Sequence, residues 1–231
     1  MMDYPKLFIF DLDGVITDTS ELHFLAWKKL AYELEITFDR DFNEKLKGIG
    51  RIESLERILE LDPAKKGISE EEKIKLSNRK NDYYLELIES LEKKDILPGI
   101  ETLLQEIKAH QINIALGSAS KNAPIVLEKL GLKDSFDYIV DAAKVKRGKP
   151  DPETFITAAQ YFNVPYDECI GIEDAVAGVE AINGANMFSV GVGEKRYLNA
   201  ADYVVEDTSK LDFKEIVTNF SDWKAKKEAS V

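Results

Sequence analysis

Short apolar runs alternate along the chain with stretches whose apolar residues recur every three or four positions. This alternation predicts strands separated by helices. The runs at 7–10, 112–116, 138–140, 169–172, 188–192 and 203–205 are nearly continuous in apolar residues, as strands covered on both faces are. Helical periodicity fills 99–110, 122–130, 152–162 and 175–183. Strand, helix, strand in repetition predicts an α/β fold on a parallel sheet with right-handed crossovers.

The alternation stops between about residues 18 and 94, where no strand pattern occurs. There His23, Trp27, Leu30 and Leu34 share one helix face, and Leu55, Ile58 and Leu59 share another. Ile74, Tyr84, Leu87, Ile88 and Leu91 continue the helical spacing. The pattern predicts a small helical unit, 18–94, inserted after the first strand, with 1–17 and 95–231 forming the α/β core. Leu97-Pro98-Gly99, a turn sequence, marks the return to the core. Lys224-Ala225-Lys226-Lys227-Glu228 reads as a fraying helix end.

With 231 residues, 44% of them hydrophobic, the chain can fill one well-cored domain and a smaller module. Its 43 acidic residues outnumber 31 Lys and Arg, leaving a net charge of −12. Nucleic acid and anionic membranes are therefore not expected as partners, and an anionic substrate would need local cations to overcome the field. The single cysteine, Cys169, excludes an intrachain disulfide and fits a reducing compartment. The start, Met1-Met2-Asp3-Tyr4-Pro5-Lys6, lacks a signal-peptide pattern. No apolar run approaches the roughly 20 residues that span a bilayer, so a cytoplasmic location is expected.

Open parallel sheets hold their ligands beyond the carboxyl ends of the strands. Asp11-Leu12-Asp13 follows the first predicted strand, Ser118-Ala119-Ser120 the second, Lys149 the third and Glu173-Asp174 the fourth. Two carboxylates as close as Asp11 and Asp13 repel one another unless a cation intervenes or one is protonated. Hard oxygen ligands of this kind suit Mg2+ together with a phosphate. Ser118-Ala119-Ser120-Lys121-Asn122 joins strand to helix, where free N–H groups favour a phosphate; Ser120 or Asn122 alternatively caps the helix. Asp151 is expected as the next helix N-cap, with Pro152 as its first residue. Lys149 would neutralise the carboxylates and an incoming phosphate.

Asp11-Leu12-Asp13-Gly14-Val15-Ile16-Thr17-Asp18-Thr19 resembles the first signature motif of the haloacid dehalogenase superfamily. Ser118, Gly148-Lys149-Pro150-Asp151-Pro152 and Gly171-Ile172-Glu173-Asp174 resemble its second, third and fourth, in order. The resemblance implies a Rossmann-like parallel sheet flanked by helices, with an inserted four-helix cap. Within the superfamily the chain is similar to sugar phosphomutases in His23, Trp27, Lys47-Gly48-Ile49-Gly50-Arg51 and Arg79-Lys80-Asn81-Asp82. Gly50 and Ala175 depart from it, each standing where a serine is usual or common.

What the resemblance implies is a Mg2+-dependent phosphoryl transfer. Asp11 would be the nucleophile and Asp13 the general acid/base. Mg2+ would be bound by Asp11, the Asp13 main-chain oxygen, Glu173 and Asp174, while Ser118 and Lys149 hold the transferring group. Arg51, supported from the core side by Lys121 and Asn122, would hold a second phosphate, and Ala119 and Ser120 are also expected among the substrate-binding residues. Lys47, Gly48, Ile49, Gly50, Ser54 and Lys80 would line the sugar side, with His23 near Asp13; Trp27 is either cap core or substrate wall. The expected reaction interconverts β-D-glucose 1-phosphate and D-glucose 6-phosphate, primed by glucose 1,6-bisphosphate, in a monomer acting on a small sugar phosphate. A sugar-phosphate phosphatase is the close rival. A phosphonate hydrolase with a Schiff-base Lys47 and a non-catalytic binding module are more distant ones. His110 and Cys169 read as structural.

Overall fold

The computed structural model describes residues 4–65 and 67–229; Met1–Asp3, part of the start read for a targeting signal, lie outside them. Its strands are β1 (Leu7–Phe10), β2 (Asn113–Leu116), β3 (Tyr138–Ile139), β4 (Cys169–Glu173), β5 (Phe188–Val192) and β6 (Tyr203–Val205). They form one sheet in the order β3-β2-β1-β4-β5-β6, every pairing parallel. The most continuously apolar run, β1, is fully buried at the centre.

The helices are α1 (Ser20–Glu33), α2 (Arg40–Asn43), α3 (Arg51–Leu59), α4 (Glu70–Ile88), α5 (Ile100–Ala109), α6 (Ala123–Lys129), α7 (Glu153–Phe162), α8 (Val176–Gly184) and α9 (Phe213–Glu228). Because successive strand residues point to opposite faces, Phe8 and Phe10 join a cluster with Leu103 of α5, Val126 of α6 and Phe220 of α9. Leu7 and Ile9 join another with Phe155 of α7 and Ile182 of α8. Helices therefore cover both faces of the sheet.

The insert between β1 and α5 is helical and has a core of its own, with Phe24, Trp27 and Leu30 of α1 meeting Leu55 and Ile58 of α3 and Leu76 of α4. Ser69 caps α4 by accepting from Glu72 N at 3.2 Å, and three glutamates in its first turn complement the helix dipole. The fourth helix of this cap, α2, is a single turn. The two chain passages between core and insert run side by side. Thr17 and Ile96 form an antiparallel bridge, Leu97 N donates to Ile16 O at 2.9 Å, and Thr17 Oγ1 donates to Asp95 O at 2.7 Å.

Two expectations need correction and one needs extension. Ile74, placed on the apolar face of α4, is 53% exposed because that face has turned towards a cavity described below. The segment 224–228 is a helix end as expected, but the helix, α9, begins at Phe213, and its Phe213, Ile216, Val217 and Phe220 are buried, a body that the sequence pattern did not reveal. The helix after Lys149 starts one residue late, at Glu153, with Pro152 in the N-cap position, although Asp151 Oδ1 still accepts from Glu153 N at 3.0 Å. Among the described residues no helix is long and apolar enough to cross a membrane.

Candidate active site

The register of the sheet assembles the site. Phe10 lies level with Leu116 of β2 and Ile172 of β4, so Asp11, Gly117-Ser118 and Glu173-Asp174 leave the sheet at one edge. Asp11 N donates to Ile172 O at 3.0 Å, fixing the nucleophile candidate against β4. The order of strands reverses between β1 and β4, which opens a crevice at that edge.

Lys149 ties these strand ends together. Its side chain is fully buried, and Nζ lies 2.5 Å from both Asp11 Oδ1 and Glu173 Oε1. Burial alone would depress the ammonium, but Asp11 and Glu173 outweigh it and hold the pKa above the usual lysine range. The Glu173 carboxyl is pushed up to about 7, first by burial and then by the Asp11 charge, against the pull of Lys149. Burial, followed by Glu173 and Asp11, raises Asp174 well above the carboxylate range.

Ligand oxygens of Asp11, Glu173 and Asp174 lie within 4.8 Å of one another. This crowd of hard oxygens, poorly offset by one lysine, suits a divalent cation such as Mg2+. Glu173 already takes Lys149 on Oε1 and Ala175 N on Oε2 at 2.9 Å, so it would ligate through remaining lone pairs.

Two glycines permit this crowding. Gly14 has φ +77, and a Cβ there would meet Asp174 Oδ2 at 2.2 Å. A Cβ on Gly178 would meet Glu173 Cδ at 1.9 Å, because α8 passes directly over that carboxylate. Gly178→Ala is therefore expected to displace Glu173. The half-saturating Mg2+ concentration should rise by about tenfold, as it does when other supporting groups of a metal site are disturbed. A Mg2+ titration with circular dichroism as the fold control checks this; an unchanged midpoint would show that Glu173 has room to move.

A second group of polar side chains hangs over Asp13 from the cap. Burial and the Asp11 charge, partly opposed by Lys80 and Lys149, push the Asp13 carboxyl up to about 7. Its Oδ1 is buried without a hydrogen-bond partner among the described residues, leaving an acceptor for a ligand hydroxyl. His23 Nε2 stands 3.9 Å from Asp13 Oδ2, and its ring stacks on Tyr84 at 4.0 Å. Lys80 Nζ lies 2.6 Å from His23 Nδ1. With the ammonium donating, Nδ1 accepts and the imidazole N–H sits on Nε2, facing Asp13. Burial, then Lys80 and Arg51, holds His23 neutral; burial, then Arg51, brings Lys80 down to about 7.

Between cap and core lies a cavity of about 550 Å³, within the range of small-molecule sites. Asp11, Asp13, His23, Trp27, Lys47, Gly48, Ile49, Gly50, Arg51, Ser54, Lys80, Ser118, Ala119, Ser120, Lys121, Asn122 and Asp174 all line it. Lys149 and Glu173 lie beneath its floor, fully buried. Trp27 lies in the cap core and also lines the cavity, with Lys80 Nζ 4.7 Å from its ring centroid. Ser118 Oγ accepts from Ser120 N at 3.0 Å, and Ser120 Oγ from Asn122 N at 3.3 Å. Asn122 instead bridges to the cap, its Nδ2 donating to Asn81 Oδ1 at 2.8 Å.

Sequence reasoning missed the core-side wall formed by Ala142, Ala143, Val145, Lys146 and Gly148. Its position after β3 was the signal. His110 is structural, stacked on Phe213 at 4.4 Å. Cys169 is buried and free, its thiol pushed up to about 12 by burial.

A family model described as haloacid dehalogenase-like hydrolase matches residues 5–186. The chain is 51% identical over 206 residues to β-phosphoglucomutase of Bacillus subtilis, covering 89% of this chain and 91% of that protein. It is 29% identical to a phosphorylated carbohydrates phosphatase of Thermotoga maritima, covering 78% and 81%. The crystal structure of β-phosphoglucomutase from Clostridium difficile superposes with a TM-score of 0.94 at 52% identity, over 96% of this chain and 99% of that one.

Proposed function

This chain belongs to the haloacid dehalogenase-like hydrolase family, and we propose that within it the protein is a phosphomutase that interconverts β-D-glucose 1-phosphate and D-glucose 6-phosphate. The observation that carries the mutase reading is a second cationic site facing the nucleophile. Arg51, at the start of α3, lines the cavity and makes no ion pair among the described residues. A hydrolase needs no such anchor, whereas a bisphosphate that must turn around does. The likeness to the Bacillus and Clostridium enzymes supports the same reading.

In this reading Asp11 attacks the phosphorus of glucose 1,6-bisphosphate, the priming donor, and an acyl phosphate forms as the P–O bond to the sugar breaks. Asp13 gives its proton to the departing sugar oxygen. In the return half-reaction Asp13 takes the proton of the other hydroxyl, which attacks the phosphorylated Asp11. A carboxyl group near 7 suits both duties. His23, held neutral between Lys80 and Tyr84, orients the sugar hydroxyl and Asp13. Ser118 and Lys149 bind the oxygens of the transferring group, and Arg51, Lys121 and Asn122 bind the distal phosphate. Asp11, the Asp13 main-chain oxygen, Glu173 and Asp174 would hold Mg2+, which would supply charge neutralisation for the transferring group.

The proposed cap is 18–94, supported by the paired passages at Thr17 and Ile96; 1–17 and 95–231 make up the proposed core. A monomer in the cytoplasm completes the reading. The phosphonate-hydrolase alternative loses ground at Lys47. Burial works to lower its pKa, but Glu44, Asp174 and Asp18 hold the ammonium above the usual range, and Nζ is 2.9 Å from Glu44. That is the reverse of an amine prepared for Schiff-base formation.

Incubation with β-glucose 1-phosphate, Mg2+ and a trace of glucose 1,6-bisphosphate is expected to yield glucose 6-phosphate in large excess over free phosphate; the opposite ratio makes the protein a phosphatase. Arg51→Ala should cost mutase turnover roughly 2–5 kcal/mol, the range for losing one partner of a desolvated charge pair. Hydrolysis of acetyl phosphate, which never uses the distal site, should change little. An equal loss in both assays would remove Arg51 as the distal anchor.

A further inference from the structure

The loop after β3 carries three cations in four residues, Lys144, Lys146 and Arg147, and only Lys146 lines the cavity. Its neighbours are committed elsewhere. Lys144 Nζ pairs with Asp141 Oδ2 at 3.5 Å. Arg147 pairs with Asp151 at 3.2 Å and with Glu153 at 3.7 Å. Lys146 is exposed and makes no ion pair among the described residues.

The backbone of this loop is held by Glu153 at the start of α7. Its Oε1 accepts from Lys146 N at 2.8 Å and its Oε2 from Arg147 N at 3.0 Å. The Lys146 N–H is the leading cause that holds this carboxyl below the usual range. One ionised carboxylate thus grips two successive amides and fixes the backbone from which Lys146 reaches the cavity and Arg147 its carboxylate partners.

This matters because the whole chain carries −12 and the substrate of the proposed reaction is a dianion. Of the other cavity cations, Lys47 is neutralised by Glu44 and Lys80 is bonded to His23. Arg51 faces inward from the cap, which leaves Lys121 and Lys146 as uncommitted charges on the core side.

Building on the phosphomutase reading, we propose that Lys146 is a further substrate-binding residue: a cation on the core-side rim, its backbone held by Glu153, that draws in and contacts the phosphate group of the entering sugar phosphate. Electrostatic attraction at the mouth of a cleft raises the rate of encounter and is screened by salt.

The test measures kcat and KM for β-glucose 1-phosphate at low and high ionic strength in the wild type, Lys146→Ala and Lys144→Ala. The last removes the same charge two residues away, outside the cavity. Lys146→Ala is expected to lower kcat/KM about fivefold at low salt through KM, with kcat unchanged and the gap closing as salt rises. Lys144→Ala should match the wild type. If the two variants coincide, or if Lys146→Ala lowers kcat at unchanged KM, Lys146 is not a substrate-binding residue while the mutase reading stands. A wild type that forms no glucose 6-phosphate removes that reading and this inference with it.

Discussion

Asp11→Asn is expected to abolish turnover and phosphoenzyme formation while the fold persists. Asp11 is 4% exposed, directly follows the central strand, and one oxygen is already committed to Lys149 at 2.5 Å. The amide keeps the shape of the carboxylate but not its nucleophilic charge, so no acyl phosphate can form. It also relieves Lys149 of one counter-charge, leaving Glu173 as its partner. The same change relieves the repulsion that Asp11 exerts on Asp13, Glu173 and Asp174, so unchanged circular dichroism is the expected companion result. The measurement is the mass increase of the intact protein after incubation with acetyl phosphate and Mg2+, alongside mutase turnover. Phosphate transfer at the wild-type rate would sink the assignment of Asp11.

Removal of Mg2+ is expected to suppress turnover by orders of magnitude, reversibly, and Asp174→Ala to do so irreversibly. The reason lies in how the acids are crowded. Asp174 and Glu173 both hold their protons more tightly than ordinary carboxyls, each chiefly through burial and then through neighbouring negative charge. One ammonium, Lys149, cannot balance Asp11, Glu173, Asp174 and an incoming phosphate together. Chelation followed by a Mg2+ titration tests the first part; the same titration on Asp174→Ala, extended well above the wild-type midpoint, tests the second. Activity that survives chelation would overturn the metal requirement.

The sheet and the chemical edge of this molecule were legible in the sequence because the pattern there obeys one rule at a time. Six short apolar runs became six strands, with ends shifted by a residue or so: Ile112 and Val140 fall outside theirs, and Glu173 is drawn into β4. The acids and the lysine after those runs meet because a parallel register leaves no alternative. Where two rules compete, the pattern blurs. Ile74 keeps helical spacing with Tyr84, yet its face of α4 borders the cavity rather than the cap core. The body of α9 reads weakly because Lys and Asp interrupt its apolar face, although Phe213, Ile216, Val217 and Phe220 are buried. The core-side wall at 142–146 was overlooked for another reason: it belongs to an irregular loop after β3, which carries no periodic signal, so only its place in the fold points to it.

The paired passages at Thr17 and Ile96 have a consequence for how such a protein can be remade. The insert leaves the core and re-enters it at one isolated antiparallel bridge, so the core closes across Ile16 and Leu97 with one backbone hydrogen bond. From the side of the sheet, everything between is one long loop, and lengthening a loop costs only logarithmically in chain entropy. None of the sheet's ladder pairings involves a residue of that loop. The sheet register that positions Asp11 is thus built without the insert, although Ala26, Tyr84, Ile88 and Leu91 of the insert pack into the same buried cluster as Phe10, so an exchanged insert would have to match that contact. It follows that His23 and Lys80, which stand at Asp13, travel with the insert and must be restored by whatever replaces it.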